Sequence, residues 1–276
     1  MDPHPEPDQR GLLGGTRFPG ARHQRTGRGA HDVLDFLAPP DDGPRWAVIR
    51  LAREAEGVNV IEGIEIAVDR EAAVVTAREP LTVLSSAFVR GGLTTARAIV
   101  NLHVRKNISE VETDGLLPRF ADRRGIRGPW VGLLTSAWTE KGVVAEASGF
   151  GLTALAVVTV GLSNRIAAGE TPVAAWAPST INSIVVVDGA PEAAALVNAA
   201  MTITEVKTAL LAAVDLRCDD GRLASGTSTD AVVVAATGRG PRCRFGGPIS
   251  DFGWVVARAA REALDAGIRR WIEEHP

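Results

Sequence analysis

Ile181-Asn182-Ser183-Ile184-Val185-Val186-Val187 is the stretch on which the fold turns. Its last four residues are β-branched and apolar without a break, the pattern of a central strand buried on both faces. After Asp188-Gly189-Ala190, a run from Pro191 to Val214 is apolar on nearly every side. Proline fits a first helical turn, with Asp188 or Gly189 near the cap. The spacing therefore predicts the longest helix of the chain, packed on more than one side. The loop Ser225-Gly226-Thr227-Ser228-Thr229-Asp230 then leads into Ala231–Ala236, a second buried strand. Strand, helix and strand in this order predict a mixed α/β (α+β) fold, a largely buried mixed sheet with long helices packed on its faces.

Shorter β-type runs lie outward from this core. Ala47–Leu51, Val58–Val68 and Ala72–Thr76 read as a meander broken by Gly57, Gly63 and Asp69-Arg70. Leu81–Ser85 and Ala98–Val104 follow, with Gly91-Gly92 between them, then a short helix over Thr113–Arg124. Trp130–Ala137, Val143–Ala147 and Leu152–Gly161 are further strands, and Trp254–Glu274 is a closing helix. Val83 to Asn101 echoes Val157 to Asn182, and a helix and a β-run follow each. This is either two related β-loop-β-α-β halves or a chance likeness. Residues 1–30, rich in Pro, Gly, Arg and His, read as a disordered leader. Residues 31–276 read as one domain, with the meander at 45–80 and the core at 81–275.

Composition narrows the function. The 276 residues are 45% hydrophobic and 23% charged, enough for a substantial core. A formal net charge of -3 supplies no basic field for nucleic acid. The longest strongly apolar stretch identified, Leu152–Leu162, is too short to span a bilayer, and no basic-plus-apolar signal pattern opens the chain. The expectation is a cytoplasmic protein with neither membrane nor nucleic-acid partner. Only three of 30 basic residues are lysines (Lys106, Lys141 and Lys207), a skew that fits GC-rich coding. Two cysteines, Cys218 and Cys243, make no disulfide scaffold, and no metal site is expected. Of five histidines only His103 lies in the body, within an apolar run, and reads as a satisfied strand residue. A Ser-His-Asp system is therefore hard to build. Gly238-Arg239-Gly240-Pro241-Arg242-Cys243 lacks the third glycine of a dinucleotide loop, and Gly161-Leu162-Ser163-Asn164-Arg165 lacks the last glycine of a nucleophile elbow.

What remains are polar residues in apolar company. Glu205 and Lys207 are set into the long helix, where burial is costly unless they are paired. At about 100° per residue they stand nearly opposite and do not pair with each other. Ser225, Gly226, Thr227, Ser228, Thr229 and Asp230 form a loop whose hydroxyls and amides can converge on one polar group. Ser163, Asn164 and Asn182 abut strand ends, where an asparagine can hold a substrate amide, and Trp176 can stack on a flat ligand.

Read in order, these segments resemble the adenosylcobinamide amidohydrolases of corrinoid salvage. The resemblance is carried by Val83-Leu84-Ser85-Ser86-Ala87 with Gly91-Gly92, Ile99-Val100-Asn101, Val131-Gly132-Leu133-Leu134-Thr135, Val158-Thr159-Val160-Gly161-Leu162-Ser163-Asn164, Ser179-Thr180-Ile181-Asn182, Thr202-Ile203-Thr204-Glu205-Val206-Lys207-Thr208-Ala209-Leu210 and Ser225–Asp230. It covers about Leu81 to Leu264. Ser228 replaces a glycine of the family pattern, Val206 an alanine, and Ile249 a frequent histidine. The resemblance implies hydrolysis of the aminopropanol amide of adenosylcobinamide to adenosylcobyric acid. The corrinoid is then the substrate, a small-molecule partner, and no cofactor is expected.

Without histidine, two routes to amide cleavage stand open. Asp230 or Glu205 activates a water, the favoured reading, or a hydroxyl of Ser225, Thr227 or Thr229 attacks with Lys207 as base. The Gly226–Thr229 amides or Asn182 would hold the oxyanion. Two alternatives to this enzyme are a non-catalytic corrinoid-binding protein, motivated by Ile249, and a Mg²⁺-dependent hydrolase using Asp230 and Glu205.

Overall fold

The computed structural model describes residues 50–51, 61–106, 108, 110–113, 115–173 and 180–276. The expected leader, Trp176, and parts of the runs at 47–51 and 58–68 lie outside the described residues. In chain order the elements are β1 (Arg50–Leu51), β2 (Ile64–Val68), β3 (Ala72–Ser85), β4 (Gly92–His103), α1 (Glu110–Thr113), α2 (Leu116–Arg123), β5 (Trp130–Thr135), β6 (Val143–Gly149), β7 (Leu152–Val160), β8 (Arg165–Ile166), β9 (Ile181–Asp188), β10 (Ala190–Pro191), α3 (Ala193–Ala213), β11 (Gly226–Thr227), β12 (Ala231–Ala236), β13 (Arg242–Cys243) and α4 (Asp251–Glu274).

The main sheet runs β1-β6-β7-β9-β12-β3-β4-β5, with β2 added beside β3. It is mixed: β9 with β12 and β4 with β5 are parallel, and the other pairs in it are antiparallel. The runs Ala72–Thr76 and Leu81–Ser85, expected as two strands, are one, β3. Its pairing with β4 shifts register between Thr76 and Leu81, so the Arg78-Glu79-Pro80 interruption is absorbed as a bulge.

Strand parity explains the layers. In β9, Ile181, Val185 and Val187 face one core cluster with Leu196, Ile203, Val256 and Leu264 of α3 and α4. Ile184 and Val186 face the other way, into a cluster with Leu155 and Val157 of β7 and with Val83, Ile99 and Leu133 of β3, β4 and β5. That second cluster joins strands far apart in the sheet order and contains no helix. The sheet therefore doubles over, and its two halves cover each other. Outside the β4 half, Val100 and Leu102 pack on Leu117 and Phe120 of α2. The result is helix, sheet, sheet, helix. Ile184–Val187 are fully buried, as a strand apolar on both faces requires.

Where the apolar layer ends, side-chain amides replace methyls. Asn182 Nδ2 donates to Asn101 Oδ1 at 2.8 Å and to Leu134 O at 3.0 Å, and Asn101 Nδ2 donates to Thr159 Oγ1 at 2.9 Å. This clasp ties β9 and β7 to β4 and β5 across the interlayer space.

The two halves share connectivity. β3, β4, α2 and β5 repeat in β7, β9, α3 and β12: an antiparallel pair, then a helix and a strand parallel to the second. The asparagines are not equivalent, since Asn101 lies near the end of β4 and Asn182 near the start of β9. The long helix begins at Ala193 rather than Pro191, because Ala190–Pro191 pairs with Arg242–Cys243 as a short strand. Among the described residues, α3 is the element long and apolar enough to cross a membrane, and it exceeds the 152–162 run that the sequence reading took as the longest strongly apolar stretch. Here its Leu196, Ile203 and Leu211 pack into the core shared with α4 and the sheet.

Replacing Asn182 by alanine leaves the buried Asn101 Oδ1 and Leu134 O without these donors. At about 1–3 kcal/mol for each unsatisfied group, unfolding free energy should fall by about 2–6 kcal/mol. Urea titration measures this, and a loss below about 1 kcal/mol would show that the clasp carries little of the interlayer contact.

Candidate active site

The parallel register that sets Ala231 beside Asn182 places Asp230 at the mouth of β9. Its carboxylate is fully engaged. Oδ1 accepts from Ile181 N at 2.9 Å and Thr227 Oγ1 at 2.5 Å, and Oδ2 accepts from Thr227 N at 3.0 Å and Lys207 Nζ at 2.5 Å. Both side chains of the Lys207–Asp230 pair are 11% exposed. Glycine is required at 226, because a Cβ there would overlap Asp230 Oδ2 and stand 2.7 Å from Lys207 Nζ. The loop glycine thus serves close approach of the ion pair.

A cleft of about 660 Å³ opens beside this pair, between α3 and the ends of β3 and β12. On α3 its wall is Val197, Ala200, Met201 and Thr204, with Lys207 and Glu205 also lining it. At about 100° per residue, the last two fall at opposite rims of that stripe. The near-opposite placement read from the sequence is correct, and both residues reach one opening because the stripe between them is its wall. Glu205 is exposed and has no hydrogen-bond or ion-pair partner among the described residues. Lys207 gives one N–H to Asp230 and has two more to offer.

The facing wall contains residues that sequence reasoning missed as site residues. Ser86 Oγ accepts from Val232 N at 3.1 Å and keeps its own proton to donate. Ser85 also lines the cleft, and its Oγ is buried without a partner among the described residues. The available signal was two hydroxyls ending a buried strand just before a Gly-Gly turn.

Several expected site residues are used up in holding the fold. Thr227 is buried, and both its amide and its hydroxyl serve Asp230. Gly226 and Thr227 pair with Ile166 and Arg165 as β11 on β8. Ser225 Oγ accepts from Ala168 N at 2.9 Å and lies 3.3 Å from Ile166 O. Ser228 N and Oγ bond the Asn164 side chain, and Thr229 O accepts from Thr180 Oγ1 at 2.7 Å. The Thr227 amide and hydroxyl, the Ser225 hydroxyl and the Ser228 amide and hydroxyl are thus engaged by the fold, and Lys207 bonds the Asp230 carboxylate rather than one of these hydroxyls. Asn182 is 1% exposed with both N–H groups taken, so it is a fold residue rather than a substrate contact.

Ser163 lies elsewhere, in a recess of about 60 Å³ with Trp138 and Trp271, where its Oγ is 3.0 Å from Lys106 Nζ. His103 is the satisfied strand histidine expected, its Nδ1 2.9 Å from Ala137 O and its ring stacked on Trp138. Ile249 is 99% exposed in the loop before α4 and does not line the cleft.

Residues 58–276 match the family model described as adenosylcobinamide amidohydrolase. No curated protein matches the chain. Among solved structures, the chain is similar to the PH0078 protein of Pyrococcus horikoshii OT3 at 13% identity and a TM-score of 0.40, covering 81% of this chain and 83% of that one. It is similar to a Burkholderia sp. beta-aminopeptidase at 14% identity and a TM-score of 0.39, covering 83% and 84%. It is also similar to the L-aminopeptidase D-Ala-esterase/amidase of Ochrobactrum anthropi at 11% identity and a TM-score of 0.35, covering 75% and 83%.

Removing one member of a buried ion pair strands the other. Lys207→Met should therefore destabilise the protein by about 3–5 kcal/mol, and adding Asp230→Asn should recover part of that loss. Chemical denaturation of the single and double variants checks both, and equal stabilities for wild type and Lys207→Met would refute the pair's role.

Proposed function

The chain belongs to the adenosylcobinamide amidohydrolase family, and we propose that it hydrolyses the amide joining the aminopropanol arm to the corrin ring of adenosylcobinamide in the cytoplasm. The product, adenosylcobyric acid, re-enters cobalamin synthesis. The observation that carries the mechanism is the exposed Glu205 carboxylate, unpaired among the described residues, on one rim of a cleft whose other rim holds the Lys207 ammonium.

Amide hydrolysis needs an activated nucleophile and a counter-charge for the developing oxyanion. Glu205 takes a proton from water, and the hydroxide so formed adds to the amide carbonyl carbon. Negative charge gathers on the carbonyl oxygen, where the free N–H groups of Lys207, and Ser86 Oγ, donate to it. Glu205 then returns its proton to the nitrogen as the C–N bond breaks, leaving a carboxylic acid on the ring and a free aminopropanol amine. Asp230 does not touch substrate in this scheme. Its acceptor positions are occupied, and it positions Lys207.

Two features bear on the alternatives. Ile249 is not among the residues that line the cleft, so its departure from the family pattern does not remove a lining group. Among the described residues no three His, Cys, Asp or Glu side chains come together as a ligand set for Mg²⁺.

Purified protein incubated with adenosylcobinamide should yield adenosylcobyric acid, seen by mass spectrometry. Glu205→Gln is exposed and should fold normally, with kcat reduced about 10²- to 10⁴-fold. Full turnover by Glu205→Gln would exclude it as the base, and tight corrinoid binding without product would make the protein a binder.

A further inference from the structure

We infer that the apolar shelf beside the Glu205–Lys207 rims seats one face of the corrin ring, with Val197, Met201, Leu84 and Val232 as the contacts that determine specificity; this rests on the reaction proposed above. On the helix side of the sheet, the core of α3 and α4 is shared with β6, β7, β9 and β12. Toward β3 and β4 this cover thins. Leu84 and Val232 are only partly buried, and Leu93, opposite Leu84 in the β3–β4 register, is 58% exposed. Val197 and Met201 stand over this floor, 48% and 55% exposed. Contiguous exposed apolar surface of this kind marks a binding face rather than ordinary solvent surface.

The occupant follows from what shares the cleft. A floor of aliphatic side chains runs directly into a carboxylate, an ammonium and a serine hydroxyl. Such a cleft suits a molecule with a broad apolar face and an amide at its edge. A corrin ring has this form: its faces carry methyl groups and its periphery carries amide arms. With one face on Leu84 and Val232 and against Met201, a peripheral amide reaches Glu205 and Lys207. The volume of about 660 Å³ lies within the range of roughly 300–1,000 Å³ usual for small-molecule sites. Methionine suits such a wall, since its flexible thioether follows an irregular outline. The shelf thus orients the substrate and the rims carry the chemistry.

The test separates shelf from chemistry. Val197→Asp and Met201→Glu should each raise KM for adenosylcobinamide at least tenfold and leave kcat within about twofold, the signature of lost uniform binding. Met201→Leu should restore the wild-type KM, and Leu223→Asp, which is exposed and outside the cleft lining, should change neither constant. Equilibrium binding of adenosylcobinamide, followed by its visible absorbance, is measured in parallel. Weaker binding by Val197→Asp and Met201→Glu supports the shelf, even if the wild type binds without hydrolysing, which would overturn only the reaction. Unchanged affinity and KM in both variants, with circular dichroism spectra matching wild type, would overturn the shelf. So would failure of the wild type to bind corrinoid. A wild-type dimer that both variants convert to monomer, with corrinoid affinity unchanged, would instead make this face an interface between copies.

Discussion

A carboxylate whose acceptor positions are filled by three different segments is the constraint around which this molecule is arranged. Asp230 holds the first amide of β9, the amide and hydroxyl of Thr227, and the ammonium of Lys207. Strand, loop and helix therefore meet at one point with little freedom. A buried charge is tolerable only when so completely matched, and the match excludes other work for Asp230. The same saturation that makes it structurally central leaves Glu205, unpartnered among the described residues, as the carboxylate exposed on the cleft rim.

The cleft exists because helical cover of the folded sheet is incomplete. α3 and α4 bury one side of β6, β7, β9 and β12, and the interlayer space is closed by the sheet itself. Beyond β12, the end of β3 carries Leu84, Ser85 and Ser86 without a helix packed fully over them. The opening lies where the long helix ceases to shield the sheet. One stripe of α3 is thus free to carry both apolar wall residues and the polar rims.

Much of the fold was legible in the sequence. Ile184–Val187 could only be a strand covered twice, and the run to Ala213 could only be a long, packed helix. The bulged strand was harder, because Arg78-Glu79-Pro80 resembles a terminator locally and only the partner strand shows that pairing resumes. The site divided in the same way. Lys207 stood out as a charge in an apolar helix and Asp230 as the carboxylate of a hydroxyl-rich loop at a strand start, and they pair. Asn182 looked equally like a ligand for an amide, yet its partners are Asn101 and Leu134, some 80 and 50 residues away along the chain. Nothing in the local pattern distinguishes an amide facing a substrate from one facing another layer.

Composition, periodicity and charge placement determined by themselves the fold class, the order of the main elements and the unusual character of positions 205, 207 and 230. These properties are local, set by the burial preference of each side chain and the repeat of helix or strand. The tertiary structure alone decided that the sheet folds upon itself, that the serine-threonine loop hydrogen-bonds Asp230, Asn164 and Ala168, that Glu205 is exposed where Asp230 is largely buried, and that Ser85 and Ser86 line the same cleft. Those outcomes depend on which distant segments compete for the same hydrogen bonds, and that competition is settled only when the segments are brought together in space.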